Sequence, residues 1–222
     1  SSNTNSTDIT MAYADSDGDL WLASLFRSTV SHCRYDGTAL HEVKSFAIDA
    51  PLMISQYKQG NIWVGSGNGR ISCIAHADAS VSSTAIPGAS FVAGIQQMPN
   101  GQTWAAAMGH PIYSVDIAHS LLGETSLNLQ RWNSVLRRST FIPTDLRCDS
   151  FGKLWIGTVG NGLLKYDIAT DSLTHMTGLP CTDISSILED RQGNIWVSSQ
   201  YGMARYDRTS GAFERFFAAD GI

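Results

Sequence analysis

The run Asp15-Ser16-Asp17-Gly18-Asp19 sets three carboxylates on alternate positions around a glycine, which resembles the opening of a calcium-binding loop. A hard cation held that way also needs a downstream glutamate and flanking helices, and the sequence supplies neither. The run therefore reads as a solvated turn. Gly65-Ser66-Gly67-Asn68-Gly69 is rich enough in glycine to cradle a phosphate, yet no Lys-Ser/Thr pair and no helix follow it. Neither a Gly-x-Ser-x-Gly elbow nor a His-Glu-x-x-His pair occurs. His32, His41, His76, His110, His119 and His175 are scattered through unrelated contexts. Cys33, Cys73, Cys148 and Cys181 lack C-x-x-C spacing and histidines at zinc-site intervals, so free, mostly buried thiols are expected. Cys33 and Cys73 could instead bridge equivalent strands of adjacent repeats, a matter of geometry. Paired carboxylates for glycoside hydrolysis would be distant in sequence, and nothing points to them. The expectation is a segment with no catalytic residues, no metal and no cofactor.

What the chain repeats is a scaffold. Gly18-Asp-Leu-Trp21, Gly60-Asn-Ile-Trp63, Gly101-Gln-Thr-Trp104, Gly152-Lys-Leu-Trp155 and Gly193-Asn-Ile-Trp196 take five of the six tryptophans, at steps of 42, 41, 51 and 41 residues. A period near 40 built of strands is a β-propeller blade. The glycine before each tryptophan suits a left-handed turn position. Asp15, Asp149 and Asp190 stand three residues before their glycines, where a carboxylate can accept turn N–H groups. Two residues past each tryptophan the side chain is small (Ala23, Gly65, Ala106, Gly157, Ser198), as an inner strand near a narrowing axis would require. The tryptophans themselves should fill the gaps between blades rather than form a ligand cage.

The fourth repeat shows the unit most clearly. Phe141 to Arg147 precedes a polar turn, and Lys153 to Thr158 is a strand by its β-branched and aromatic content. Val159-Gly160-Asn161-Gly162 is a hairpin loop, Leu163 to Asp167 the next strand, and Asp171 to Met176 the fourth. The fold expected is all-β: a propeller region over residues 1–222, with about five four-stranded antiparallel blades. Those blades would run roughly 8–48, 49–89, 90–139, 140–180 and 181–222.

Charged residues make up only 16% of the chain, the net charge is −5, and Arg137-Arg138 is the sole basic pair, so no nucleic-acid or anionic-membrane footprint exists. No apolar stretch reaches membrane-spanning length, and no signal-peptide pattern opens the chain. Membrane contact by this segment is not expected.

The repeat departs from its own rule twice. About ten extra residues lie within Ile117–Thr140, with Trp132 the one tryptophan outside the repeat slot, a surface insertion by length. The loop after each tryptophan strand also changes from blade to blade, on the face where blade connections emerge. Side chains that vary on a constant scaffold are where a propeller can encode a ligand. Phe26, Arg27, Asn68, Arg70, His110, Asn161, Gln200 and Tyr201 are the candidate binding residues.

The signature of Asp149-Ser-Phe-Gly-Lys-Leu-Trp-Ile-Gly-Thr158 through Gly162-Leu-Leu-Lys-Tyr-Asp167 resembles the two-component regulator propeller repeat. So does Glu189-Asp-Arg-Gln-Gly-Asn-Ile-Trp-Val197 through Gly202-Met-Ala-Arg-Tyr-Asp207, with Gly178-Leu-Pro-Cys-Thr-Asp-Ile184 and Asp220-Gly-Ile222 as blade links. The likeness weakens in repeats one to three, where Trp104 is followed by three alanines. WD repeats need Trp-Asp, and the sialidase-type Asp box wants its aspartate one residue nearer the glycine. The resemblance implies the periplasmic input region of a hybrid two-component histidine kinase that detects glycan fragments. Such regions usually hold two seven-bladed propellers, a sandwich domain, one membrane helix and the kinase. Five repeats imply an excerpt of such a sensor or a stand-alone five-bladed relative. The partner expected is an oligosaccharide or other small extracellular ligand. If the blades do not close, open edges should drive homodimer pairing. The alternatives are a propeller lyase or glycosidase acting on polysaccharide, and a protein-interaction scaffold.

Overall fold

The computed structural model describes residues 8–57, 60–119, 125–131, 141–217 and 219, and they are almost entirely strand and turn. Each repeat folds into its own four-stranded antiparallel sheet. The first comprises β1 (Ile9–Ala14), β2 (Leu20–Ser24), β3 (Thr29–Tyr35) and β4 (Leu40–Ala47). The second comprises β5 (Pro51–Gln56), β6 (Ile62–Ser66), β7 (Arg70–Ile74) and β8 (Val81–Ala85). The third comprises β9 (Val92–Gln97), β10 (Thr103–Ala107), β11 (Tyr113–His119) and β12 (Thr125–Arg131). The fourth comprises β13 (Ile142–Cys148), β14 (Lys153–Val159), β15 (Leu163–Asp167) and β16 (Ser172–His175). The fifth comprises β17 (Ile184–Glu189), β18 (Ile195–Ser199), β19 (Gly202–Asp207) and β20 (Ala212–Phe216). Meandering sheets at this period are propeller blades, as the repeat predicts. The chain divides into two compact units, Ser1–Ile95 with Ile117–Asn128 and Gln96–Asp116 with Leu129–Ile222. Trp132 lies outside the described residues. No helix among them is long and apolar enough to cross a membrane.

The glycine before each tryptophan is there for its backbone. Gly18, Gly60, Gly101, Gly152 and Gly193 all have φ between 76° and 88°, a region that penalises any Cβ. In the fourth sheet Asp149 Oδ1 accepts the N–H groups of Phe151 (3.0 Å) and Lys153 (2.8 Å), while Oδ2 accepts the Trp155 indole N–H at 2.7 Å. Asp15 and Trp21, and Asp190 and Trp196, repeat that indole bond at 2.8 Å. In the fifth sheet these bonds hold the Asp190 carboxyl down to about 2, the Trp196 indole being the largest cause. The aspartate thus fixes both the turn and the rotamer of the tryptophan that packs the blades.

Three of the tryptophans, Trp21, Trp104 and Trp155, do fill the space between sheets, whereas Trp196 is half-buried against Phe216 of its own sheet. In the first unit Trp21 packs against Ile54, Ile62, Val64 and Ile74 of the second sheet. In the second unit Trp104 meets Leu146, Leu154, Ile156, Leu164 and Tyr166, and Trp155 meets Ile184, Ile187, Ile195, Val197 and Tyr206. An indole of ~200 Å² so buried contributes about 5 kcal/mol as an upper bound.

The small residue two past the tryptophan is crowded by first strands, that of its own sheet and that of the next. A Cβ on Gly157 would lie 2.8 Å from Ile184 Cγ2 of the next sheet and 3.0 Å from Thr144 Oγ1 of its own, and one on Gly65 2.6 Å from Met53 Cγ of its own sheet and 2.8 Å from Val92 Cγ1 of the next. First strands also carry a one-residue bulge, between Ile9 and Met11, Pro51 and Met53, Pro143 and Asp145, and Ile184 and Ser186. Beside it, a side chain of the preceding sheet takes up an amide of the next. Ile54 N–H donates to Met11 Sδ at 3.0 Å and Ile187 N–H to Asp145 Oδ2 at 2.7 Å. Burial pushes the Asp145 carboxyl up despite those bonds.

Candidate functional site

At the end of the tryptophan strands away from the aspartate turns, the loop between second and third strands meets the link between sheets. In the first unit the link residue Asp49 accepts Ser28 Oγ–H (3.2 Å) from the β2–β3 loop and Asn68 Nδ2–H (2.8 Å) from the β6–β7 loop. The backbone adds Ile48 N–H to Ser28 O at 3.0 Å and Gly67 N–H to Ala50 O at 2.8 Å. In the second unit Asp183 of the next link accepts Gly160 N–H at 2.6 Å, and Gly162 N–H reaches Thr182 O at 2.8 Å. Loop and link therefore share a face, as expected, and a carboxylate ties them.

Each candidate residue lies in a loop between second and third strands, or at its edge. Phe26 stands 80% exposed, and beside it Arg27 Nε pairs with Asp8 Oδ2 at 3.4 Å. Asn68 joins them through Asp49 and Ser28, and Arg70 is exposed at the start of β7, its N–H on Asn68 Oδ1 at 3.2 Å. His110 occupies its own turn, its N–H on Ala107 O at 3.0 Å. Asn161 is exposed in the β14–β15 turn, where Gly160 (φ 79°) and Gly162 (φ 69°) supply the positive angles rather than the asparagine. Gln200 and Tyr201 line an open depression of about 650 Å³ with Ser199, Gly202, Met203, Phe217 and Ala219. Tyr201 is 63% exposed there. The loops thus gather Phe26, Arg27 and Asn68 in one unit and Gln200 with Tyr201 in the other.

Sequence reasoning missed Asp49, Asp183 and Phe217. The two aspartates carried a signal, since each falls within two residues of the first strand of its sheet.

In the first turn Asp17 is exposed, as expected, whereas Asp15 and Asp19 are engaged rather than solvated. Asp15, Asp19 and His32 bring ligand atoms within 4.8 Å of one another. Their donors are already engaged: Asp19 is buried and takes Arg34 bidentately (3.0 and 2.6 Å) and His32 Nε2 at 2.8 Å. Arg34, foremost, holds the Asp19 carboxyl below its ordinary value. His32 stacks on Trp21 at 4.5 Å. Asp19 is thus ion-paired, and Asp15 and His32 hold the indole through its N–H and its ring face.

All four cysteines are free. Cys33 pairs across from Leu20 and Cys73 from Trp63, one register step apart and hence on opposite faces of their sheets. Cys33 lies on the face of the first sheet turned away from Trp21, and Cys73 on the face of the second sheet turned away from Ile62 and Val64, so the two thiols do not face each other. Burial pushes the Cys73 thiol up to about 12 and Cys148 up to about 11, which keeps both protonated and unreactive.

Residues 178–201 match the model of the two component regulator propeller. No curated protein matches the sequence. Among solved structures the chain is similar to the extracellular domain of a hybrid two-component system from B. thetaiotaomicron. That match has 21% identity and a TM-score of 0.72 and covers 100% of this chain and 30% of that one. The extracellular domain of a one-component system from the same organism matches at 16% identity and a TM-score of 0.70, over 95% of this chain and 31% of that one. The chain thus spans about a third of the length of either domain. Virginiamycin B lyase from Staphylococcus aureus matches at 17% identity and a TM-score of 0.72, over 95% of this chain and 70% of that one. At these identities the likenesses speak for the fold. The chain is a β-propeller that carries a two-component regulator propeller repeat at residues 178–201.

Proposed function

We propose that this chain is a ligand-sensing region of a two-component sensor, that it works in the periplasm, and that it binds an oligosaccharide without turning it over. The carrying observation is the contrast between the two ends of each tryptophan strand. At one end the residues repeat and do structural work, and at the other the side chains differ from loop to loop, with link carboxylates tying three of those loops. The repeat match at residues 178–201 and the fold shared with extracellular sensor domains support both the role and the location.

The exposed side chains suit a sugar. Phe26 and Tyr201 offer bare aromatic faces on which the C–H face of a pyranose can pack. Arg27, Asn68, Asn161 and Gln200 supply the donors and acceptors that hydroxyl groups need. Ligand contacts of this kind are neutral and should tolerate salt.

Calorimetric titration of the chain with a panel of oligosaccharides tests the reading. Saturable binding with no product is expected, weakened about tenfold by Tyr201→Ala or Phe26→Ala, the loss of roughly one aromatic contact. Cleaved or rearranged sugar in the same samples would place the chain among propeller enzymes. Failure of every small ligand to bind or to raise the melting temperature would leave a protein scaffold.

A further inference from the structure

Asp145 has a neutral counterpart that does the same work. It stands on β13 across from Gly157 as Met11 stands on β1 across from Ala23, both at the bulge of a first strand. Met11 Sδ takes the Ile54 N–H of the next sheet, and Asp145 Oδ2 takes the Ile187 N–H at the matching place on β17. Asp145 also accepts the Ser186 hydroxyl at 3.3 Å and, through Oδ1, Leu146 N–H at 2.8 Å. A thioether therefore suffices for the contact, and the fourth sheet places an ionisable group in the seam instead.

Among the described residues no cation pairs with it. On β13 Arg147 acts on it only from a distance, and the Arg147 Nε is buried without a hydrogen-bond partner. β14 sets Gly157 and Thr158 beside it, and the one charge of that strand, Lys153, is paired with Asp167. Toward β17, Asp183 is taken up by Gly160 N–H, and Glu189 by Ser150 and Arg208. β10, packed on the other face of the fourth sheet, carries no charge. Burial outweighs the hydrogen bonds, so the carboxyl holds its proton more tightly than usual. The seam also leads to a candidate binding loop. Ser186 and Ile187 follow directly on the link whose Asp183 accepts Gly160 N–H and whose Thr182 O accepts Gly162 N–H, on either side of Asn161. All of these residues lie within one compact unit.

We propose that Asp145 positions the β14–β15 loop under the control of a proton: protonated, it closes the β13–β17 seam and the link that grips the loop, and ionised, it loosens both. This deepens the sensing role and rests on it for its purpose, since a ligand that needs the gripped loop binds more tightly as pH falls. The direction follows from linkage. The folded carboxyl binds its proton more tightly than an unfolded one. The stability that proton contributes is therefore complete below the ordinary carboxylate range and is lost as pH rises through the raised value.

Amide hydrogen exchange on the 222-residue chain, without ligand, tests this apart from binding, so a chain that takes no sugar can still bear it out. Corrected for intrinsic rates, protection of the Ile187, Gly160 and Gly162 amides should rise as pH falls from neutral to the carboxylate range. The rise should be at most about tenfold per pH unit, the limit for one linked proton. Gly67 N–H, gripped by Ala50 O in the unit where Met11 takes the place of Asp145, should keep its protection. Asp145→Asn retains an acceptor without the charge. Protection of the three amides should then be high at every pH, and the urea midpoint at neutral pH should exceed that of the wild type, with the gap closing in acid. Asp145→Met, which supplies the acceptor of the first sheet, should do the same. Flat wild-type protection, a pH response that Gly67 shares or that survives either substitution, or two variants both less stable than the wild type at neutral pH overturns the proposal.

Discussion

Asp149 draws hydrogen bonds from three stretches of chain: Phe151 and Lys153 N–H from its own turn, the Trp155 indole, and Arg208 Nη2 at 3.0 Å from the fifth sheet. Its side chain is fully buried. Asp149→Ala leaves the indole and the guanidinium without that acceptor, which should cost about 3 kcal/mol, read as a lower urea midpoint. Asp190→Ala, in a turn without a buried ion pair, should cost less. The sequence showed Asp149 as a turn acceptor because the residues it caps are two and four positions away. The bonds to Trp155 and Arg208 stayed hidden, since one depends on a rotamer and the other on a residue 59 positions along the chain. The candidate binding residues were legible only as positions where the repeat changes. Asp49 and Asp183, which tie those loops to the links, were marked only by their place just before a first strand, because the links themselves are of unlike sequence.

At the scale of a strand, Gly157 on β14 is tightly constrained. A Cβ there would fall 2.8 Å from Ile184 Cγ2 and 3.0 Å from Thr144 Oγ1. Gly157→Ala should cost about 2 kcal/mol by overpacking. Gly160→Ala meets nothing within 4 Å and is penalised only for its φ of 79°, about 1 kcal/mol. Thermal melts of the two variants separate crowding from backbone strain. The strands of this repeat matched expectation to within a residue or two because β-branched alternation and glycine turns are local signals. The reason for the small residue was not local. Ile184 opens the following sheet, and no sequence period says which strand will press on which.

Across the whole chain, the tryptophan period showed the number of sheets, whereas the division into two compact units left no mark in composition. Sheets that touch only their neighbours should lose stability locally. Trp155→Ala removes the indole between the fourth and fifth sheets and should cost about 4 kcal/mol there. Hydrogen exchange should quicken in β13 to β20 and remain unchanged in β1 to β8; uniform acceleration would contradict the nearest-neighbour picture. The aspartate turns and the link-tied loops stand at opposite ends of strands five to seven residues long, a separation of about 17–23 Å. Evolution can therefore rewrite the vocabulary of the loops letter by letter while the grammar that folds the chain stays out of reach of the edit.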